Sequence, residues 1–288
     1  MNSSPRQDAG ADLEVFDIAG PLPSGTTILE ASAGTGKTWA IAALVARQVA
    51  EGLALEKLLV VTFSRAATQE LRERVRERLI RTELTLRHAI AGTDPPHEVD
   101  RLDHAVLRDA VGQAWPVDEL QIRQRRLRDA LGAFDNATIA TIHQFCQSVL
   151  RGLGVAGDID PGTTLVEDLS ELIGQVVDDV YLARYRRQET PPFSHAIARA
   201  IATAVTGDSA AVIGPTDADA DSLDAERVRF GEAVRAELAV RKRRLGILSY
   251  DDLLQDLAAA LADPQAPARE RMRQRWSVIL VDEFQDTD

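Results

Sequence analysis

Lysine is scarce in this sequence, confined to Lys37, Lys57 and Lys242, and arginine carries nearly all the positive charge. Lys37 lies in Ala31-Ser32-Ala33-Gly34-Thr35-Gly36-Lys37-Thr38, which has the P-loop spacing with alanine in place of the first glycine. Gly34 and Gly36 tolerate positive φ, so the backbone N–H groups around them can turn inward. Those N–H groups and the start of the following helix form a cradle for polyphosphate. In such a cradle Lys37 reaches the β- and γ-phosphates of ATP, and Thr38 offers its hydroxyl to Mg²⁺. A glycine-bearing turn can match this pattern by chance. The β-type run Thr26–Leu29 before it and the Ala-rich helical run after it supply the strand–loop–helix context that separates the two cases.

A second group of chemically capable residues stands at the other end. The apolar run Val278–Val281 is followed by Asp282 and Glu283. Acids at the end of a strand beside a phosphate loop suit metal-assisted hydrolysis. Asp282 would hold Mg²⁺ through water, and Glu283 would orient and deprotonate the attacking water. Alone, an acidic pair after an apolar run is no more than a solvated turn. Its weight comes from the loop at Ala31–Thr38.

These groups need a scaffold, and the hydrophobic pattern supplies one. Leu58–Phe63 is an apolar run of strand length, of the type buried in a parallel sheet. Leu71, Val75, Leu79 and Leu86 recur at helical spacing behind it, with Arg/Glu pairs between them. Leu102–Leu131 predicts two amphipathic helices broken near Trp115-Pro116, and Ala137–Phe145 a short strand leading into a helix. Gly152–Pro161 marks a boundary. Val166–Leu245 reads as helical throughout, with one interruption near residues 205–222. Ser249 is placed to cap a helix whose first turn holds Asp251 and Asp252, which gives those acids a capping role. Predicted strands near residues 28, 60, 139 and 279, separated by helices, make an α/β fold with a parallel sheet and one helical insertion.

Composition narrows the class. Of 288 residues 45% are hydrophobic and 27% charged, as in an ordinary soluble domain. The net charge of −12 argues against an all-over basic nucleic-acid binder but does not bear on a local groove. The single cysteine, Cys146, is read as core and rules out a disulfide framework within the chain. No apolar run is long enough to span a bilayer, and the N-terminus lacks the apolar core of a signal peptide, so the expectation is cytoplasmic. Residues 1–12 read as a disordered lead.

Five stretches taken in order, Leu29–Ala42, Leu58–Leu79, Ala137–Arg151, Leu248–Leu254 and Val278–Asp288, resemble motifs I, Ia, Ib, a segment preceding motif II, and motif II of superfamily 1 DNA helicases of the UvrD/Rep type. Within that group "EASAGTGKT", "AATQELRER" and "TIHQFCQ" resemble the wording of the RecB-like branch, the β-subunit type of exodeoxyribonuclease V. The resemblance implies a RecA-like ATP-binding domain (1A) over 13–160 and 246–288, with a helical subdomain (1B) inserted over 161–245. It implies an ATP-driven 3′→5′ helicase that works on double-strand DNA ends, with RecC- and RecD-like partner subunits. It also implies that Phe63, Ser64, Thr141 and His143, with Phe145 nearby, contact single-stranded DNA, and that Gln285 links the nucleotide to neighbouring motifs. Phe63 as the buried end of a strand, and His143 as a residue satisfied by backbone, are the structural alternatives.

Departures from the pattern are also present. Arg65 stands where relatives often carry an acid or amide, and no glutamine between Asp12 and Thr27 is placed to read adenine. The sequence ends just after motif II, which predicts that the second RecA-like domain, its arginine finger and any nuclease lie elsewhere. Arg184, Arg186, Arg187 and the run Arg241–Arg244 are candidates for duplex phosphates or for a solvated helix face. The rival readings are an AddA- or UvrD-like helicase, a P-loop transport or signalling ATPase, and a fragment that only binds nucleotide or partner subunits.

Overall fold

The computed structural model describes residues 15–31, 36–109, 111–153, 163–166, 168–207 and 211–286. The chain divides into two compact units, residues 1–141 with 274–288, and residues 142–273. The helical insertion expected over 161–245 falls inside the second unit, which also takes the flanking helices on either side of that range.

The first unit is built on β1 (Leu58–Thr62), whose five residues are all buried. Continuous β-branched and leucine character suits a strand covered on both faces. It pairs in parallel with β2 (Thr138–Thr141) on one side and β5 (Val278–Val281) on the other, giving the order β2-β1-β5. Four helices of this unit are α1 (Lys37–Glu51), α2 (Arg65–Ala91), α3 (Arg101–Leu107) and α4 (Val117–Gly132). The helical spacing of Leu71, Val75, Leu79 and Leu86 turns them all inward, each at most 1% exposed. They meet Ala43, Val45 and Ala46 of α1 and Leu127 of α4 in one core. Pro116 precedes α4 and marks the break expected there.

The strand expected at Thr26–Leu29 does not form. Ile28 and Leu29 are 71% and 41% exposed and lie in irregular backbone. β-propensity becomes a strand only where a partner edge satisfies the backbone groups, and none of the described strands lies alongside. Residues 1–12, read as a disordered lead, lie outside the described residues.

Electrostatics fixes the turn before α3. Asp100 caps the helix and accepts both guanidinium nitrogens of Arg78, at 2.5 and 2.6 Å. Burial alone would raise the Asp100 carboxyl, but the hydrogen bonds from Arg78 and the Asp103 N–H, with the charges of Arg78 and Arg81, lower it to about 2. A depressed carboxylate stabilises the fold above its unfolded pKa, and the contribution disappears as pH falls through the folded value. Asp100→Asn should therefore destabilise the chain by about 2 kcal/mol at neutral pH. The difference from the parent, followed by denaturant titration, should shrink steadily below pH 4 and vanish near pH 2.

The second unit contains α5 (Ile142–Leu153), α6 (Ser170–Tyr185), α7 (His195–Gly207), α8 (Leu223–Leu245) and α9 (Tyr250–Ala262), with α10 (Pro267–Arg275) running across the boundary. Tyr185, Phe193, Phe230, Val176 and Val234 form the core of α6, α7 and α8. Gly231 lets α8 approach α7 closely: a Cβ there would sit 2.9 Å from Cγ1 of Val205. The region read as helical throughout has a second break, residues 186–194, where Pro191 and Pro192 cannot continue a helical ladder. Two further elements had no periodic signal: the two-residue parallel strands β3 (Thr164–Leu165) and β4 (Ile247–Leu248). Cys146 is buried as expected, and burial pushes its thiol up to about 11, so it is inert.

Candidate nucleotide site and strand contacts

Parallel pairing places the carboxyl ends of β1, β2 and β5 on one edge of the sheet. Thr62, Phe63 and Ser64 leave β1 there, Thr141 ends β2, and Asp282 and Glu283 follow β5. The carboxyl edge of a parallel sheet is where α/β proteins place their ligands.

Lys37 is the first residue of α1, and Gly36 before it has φ +97°, a conformation that disfavours any side chain. No side chain caps this helix, so its first N–H groups present a positive end. Ala31, Gly36, Lys37 and Thr38 are described, whereas Ser32, Ala33, Gly34 and Thr35 lie outside the described residues. The Lys37 ammonium donates to both carboxylate oxygens of Glu283 at 2.9 Å, across 246 residues of sequence. The two ends of the chain that carried the chemical signals are thereby joined.

Asp282 is anchored through its N–H to the carbonyl of Val61 at 2.8 Å, one more rung beyond β5. The hydroxyl of fully buried Thr62 donates to its carboxylate at 3.4 Å. Burial, with the adjacent Glu283 charge, raises the Asp282 carboxyl above its ordinary value against the pull of the Glu283 N–H, Lys37 and Thr62. A half-buried carboxylate beside a second one is the electrostatic situation a divalent cation relieves. Mg²⁺ is commonly held by one or two carboxylates together with substrate phosphates, so Asp282 and the Thr38 hydroxyl form a fitting donor set. Glu283 is shifted the other way, lowered by the hydrogen bonds from Lys37 and from Gln285, and stays ionised. It is also the one described non-glycine residue with positive φ, +52°. Such strain persists where the surroundings enforce it, and it concentrates at functional positions.

Asp282→Asn should weaken nucleotide binding in the presence of Mg²⁺ by roughly tenfold or more and leave metal-free binding unchanged. Fluorescent-nucleotide titrations with and without EDTA separate the two.

The expected strand contacts differ among themselves. Phe63 is 52% exposed just past β1, so it is not the buried end of a strand. Ser64 caps α2: its Oγ accepts the Ala67 N–H at 3.0 Å. Thr141 is buried at the end of β2. His143 is half-buried in α5, with its ring 4.1 Å from that of Tyr250. Burial pushes its imidazole below the ordinary value against the opposing charge of Asp251. Phe145 is partly buried on the same helix.

Of the basic cluster, three members are used internally. Arg184 pairs with Glu226, Arg241 with Glu237 and Asp179, and Lys242 with Asp252. Arg186, Arg187, Arg243 and Arg244 remain exposed. Thr62 and Tyr250 went unrecognised in the sequence. The signal for Thr62 was a polar residue closing an otherwise apolar strand. That for Tyr250 was an aromatic at the first position of a capped helix.

No helix among the described residues is long and apolar enough to cross a membrane. Compared with known proteins, residues 17–288 match the UvrD/REP helicase N-terminal domain. The chain is 51% identical over 280 residues to the RecBCD enzyme subunit RecB of Mycolicibacterium smegmatis, covering 96% of this chain and 24% of that protein. Identity to the Mycobacterium tuberculosis counterpart is 47% over the same length. A more distant match, 31% over 188 residues, is to an ATP-dependent helicase/nuclease of Latilactobacillus sakei, covering 64% of this chain and 16% of that protein. The chain thus spans about a quarter of the length of its RecB relatives.

Proposed function

We propose, for a chain that belongs to the UvrD/REP helicase family through its N-terminal domain, that the first unit is the ATP-binding half of a RecB-like DNA motor. The observation that carries this reading is the Lys37–Glu283 pair at 2.9 Å, with Asp282 beside it at the carboxyl edge of the sheet. In that arrangement Lys37 and the start of α1 bind the phosphates. Asp282 and Thr38 hold Mg²⁺. Bound Mg²⁺ supplies charge neutralisation at the β- and γ-phosphate oxygens. Glu283, freed from Lys37 when the ammonium turns to the phosphates, accepts the proton of the attacking water. Gln285, which already donates to Glu283, holds that carboxylate in place.

Phe63 is proposed to stack on a base of single-stranded DNA, since every base offers a π face to a sequence-blind motor. Ser64, Thr141 and His143 are proposed as further strand contacts. The helical region within 161–245 is proposed as an inserted 1B subdomain of domain 1A. By analogy with its relatives, the motor would move 3′→5′ on DNA ends, in the cytoplasm, in complex with RecC- and RecD-like subunits. The helicase/nuclease match from Latilactobacillus sakei favours an AddA-like assembly as the second reading, but it is weaker in identity and in coverage.

ATP turnover by the protein carrying this chain, measured with and without an oligothymidylate, tests the class. Stimulation by single strands is expected, and Phe63→Ala should raise the concentration needed for half-stimulation by roughly 5- to 100-fold. Turnover indifferent to DNA would point to a transport or signalling ATPase.

A further inference from the structure

The second unit holds a chain of contacts leading from the end of α8 to His143. Lys242 lies in the last turn of α8, which Gly246 closes with φ +63°. Its ammonium donates to both carboxylate oxygens of Asp252 at 2.6 and 2.7 Å, and the two side chains are 14% and 16% exposed. The same carboxylate accepts the N–H and the hydroxyl of Ser249, each at 2.8 Å, while the Asp252 N–H donates back to Ser249 Oγ at 3.2 Å. This reciprocal capping box fixes where α9 begins. Tyr250 is the first residue after the cap, and its ring meets the His143 imidazole with centroids 4.1 Å apart and planes at 47°.

We infer that Tyr250 is a positioning residue for His143, and that the buried Lys242–Asp252 pair sets the Tyr250 ring from the end of α8. An imidazole near a helix start has several rotamers open to it, and an aromatic ring packed against it removes most of them. Lys242, one of only three lysines, is thereby committed inside the unit rather than offered to a phosphate. The value of holding His143 rests on the proposal that it touches a DNA strand, whereas the hold itself does not.

Two measurements keep those claims apart. In the 288-residue chain, the imidazole signals of the five histidines are followed by NMR against pH, with His143→Gln assigning the one of interest. His143 should titrate below an ordinary histidine. Tyr250→Ala and Asp252→Asn should move its midpoint up towards the ordinary value, while Tyr250→Phe, which keeps the ring, should not. The second measurement is affinity for a labelled oligothymidylate, where Tyr250→Ala and Asp252→Asn should each lose about two- to tenfold with nucleotide affinity unchanged. Asp252→Asn is the discriminating variant. It frees the Lys242 cation without removing it, so binding that strengthens would show Lys242 to be a phosphate contact and overturn the inference. A His143 midpoint unmoved by Tyr250→Ala would also overturn it. A moved midpoint with unchanged DNA affinity would uphold the positioning and sink the strand-contact reading of His143.

Discussion

Lys37→Ala should abolish ATP turnover by the protein carrying this chain and weaken its affinity for Mg·ATP by about 10²-fold or more. Hydrogen bonds to a charged group are each worth roughly 1.5–3 kcal/mol, and the ammonium brings more than one to the phosphates. Neither of the other lysines can substitute, because Lys57 donates to the carbonyl of Gln274 and Lys242 is paired with Asp252. The Lys37–Glu283 pair is about one-third exposed on each side, so its loss should barely move the thermal midpoint. A large loss of binding with an intact melting curve is therefore the expected signature. Undiminished turnover would remove the phosphate-loop assignment.

Glu283→Gln should separate binding from chemistry in the opposite sense. Glutamine keeps the shape and can still hydrogen-bond, but it cannot take a proton from water. Loss of a general base costs typically 10²–10⁴ in rate, so single-turnover hydrolysis should fall by about that range. Mg·ATP affinity should hold or increase, because Lys37 is no longer held by a carboxylate in the nucleotide-free state. Hydrolysis at the parent rate would reduce Glu283 to an ion-pair partner and leave its positive φ without a catalytic explanation.

The residues that carry the proposed chemistry were legible because their types are constrained locally. A glycine before Lys37 meets a demand of its own backbone, φ +97°, and the acids after Val281 end a strand. The helices of the first unit were legible for a similar reason, since Leu71, Val75, Leu79 and Leu86 repeat with the helical period and all turn inward. Features set by distant partners were not legible. Ile28 and Leu29 have strand character, but pairing is a property of two segments, and one sequence segment does not show whether an edge is available. The role of Lys242 depends on Asp252, which lies on another helix, so a charge run that looked like a phosphate-binding face proved partly internal. The β3–β4 pair is two residues long and offers no period to detect.

The nucleotide-bound structure tests the central claim most directly. Lys37 and Glu283 hold each other at 2.9 Å here, and ATP must separate them if both are to act as proposed. A crystal structure of the chain with Mg²⁺ and a non-hydrolysable ATP analogue should show the Lys37 ammonium on the terminal phosphates. Asp282 and Thr38 should lie beside the metal, and Glu283 should have turned towards the γ-phosphate with a water between them. An analogue bound elsewhere, or bound at α1 with the Lys37–Glu283 pair still closed, would contradict it.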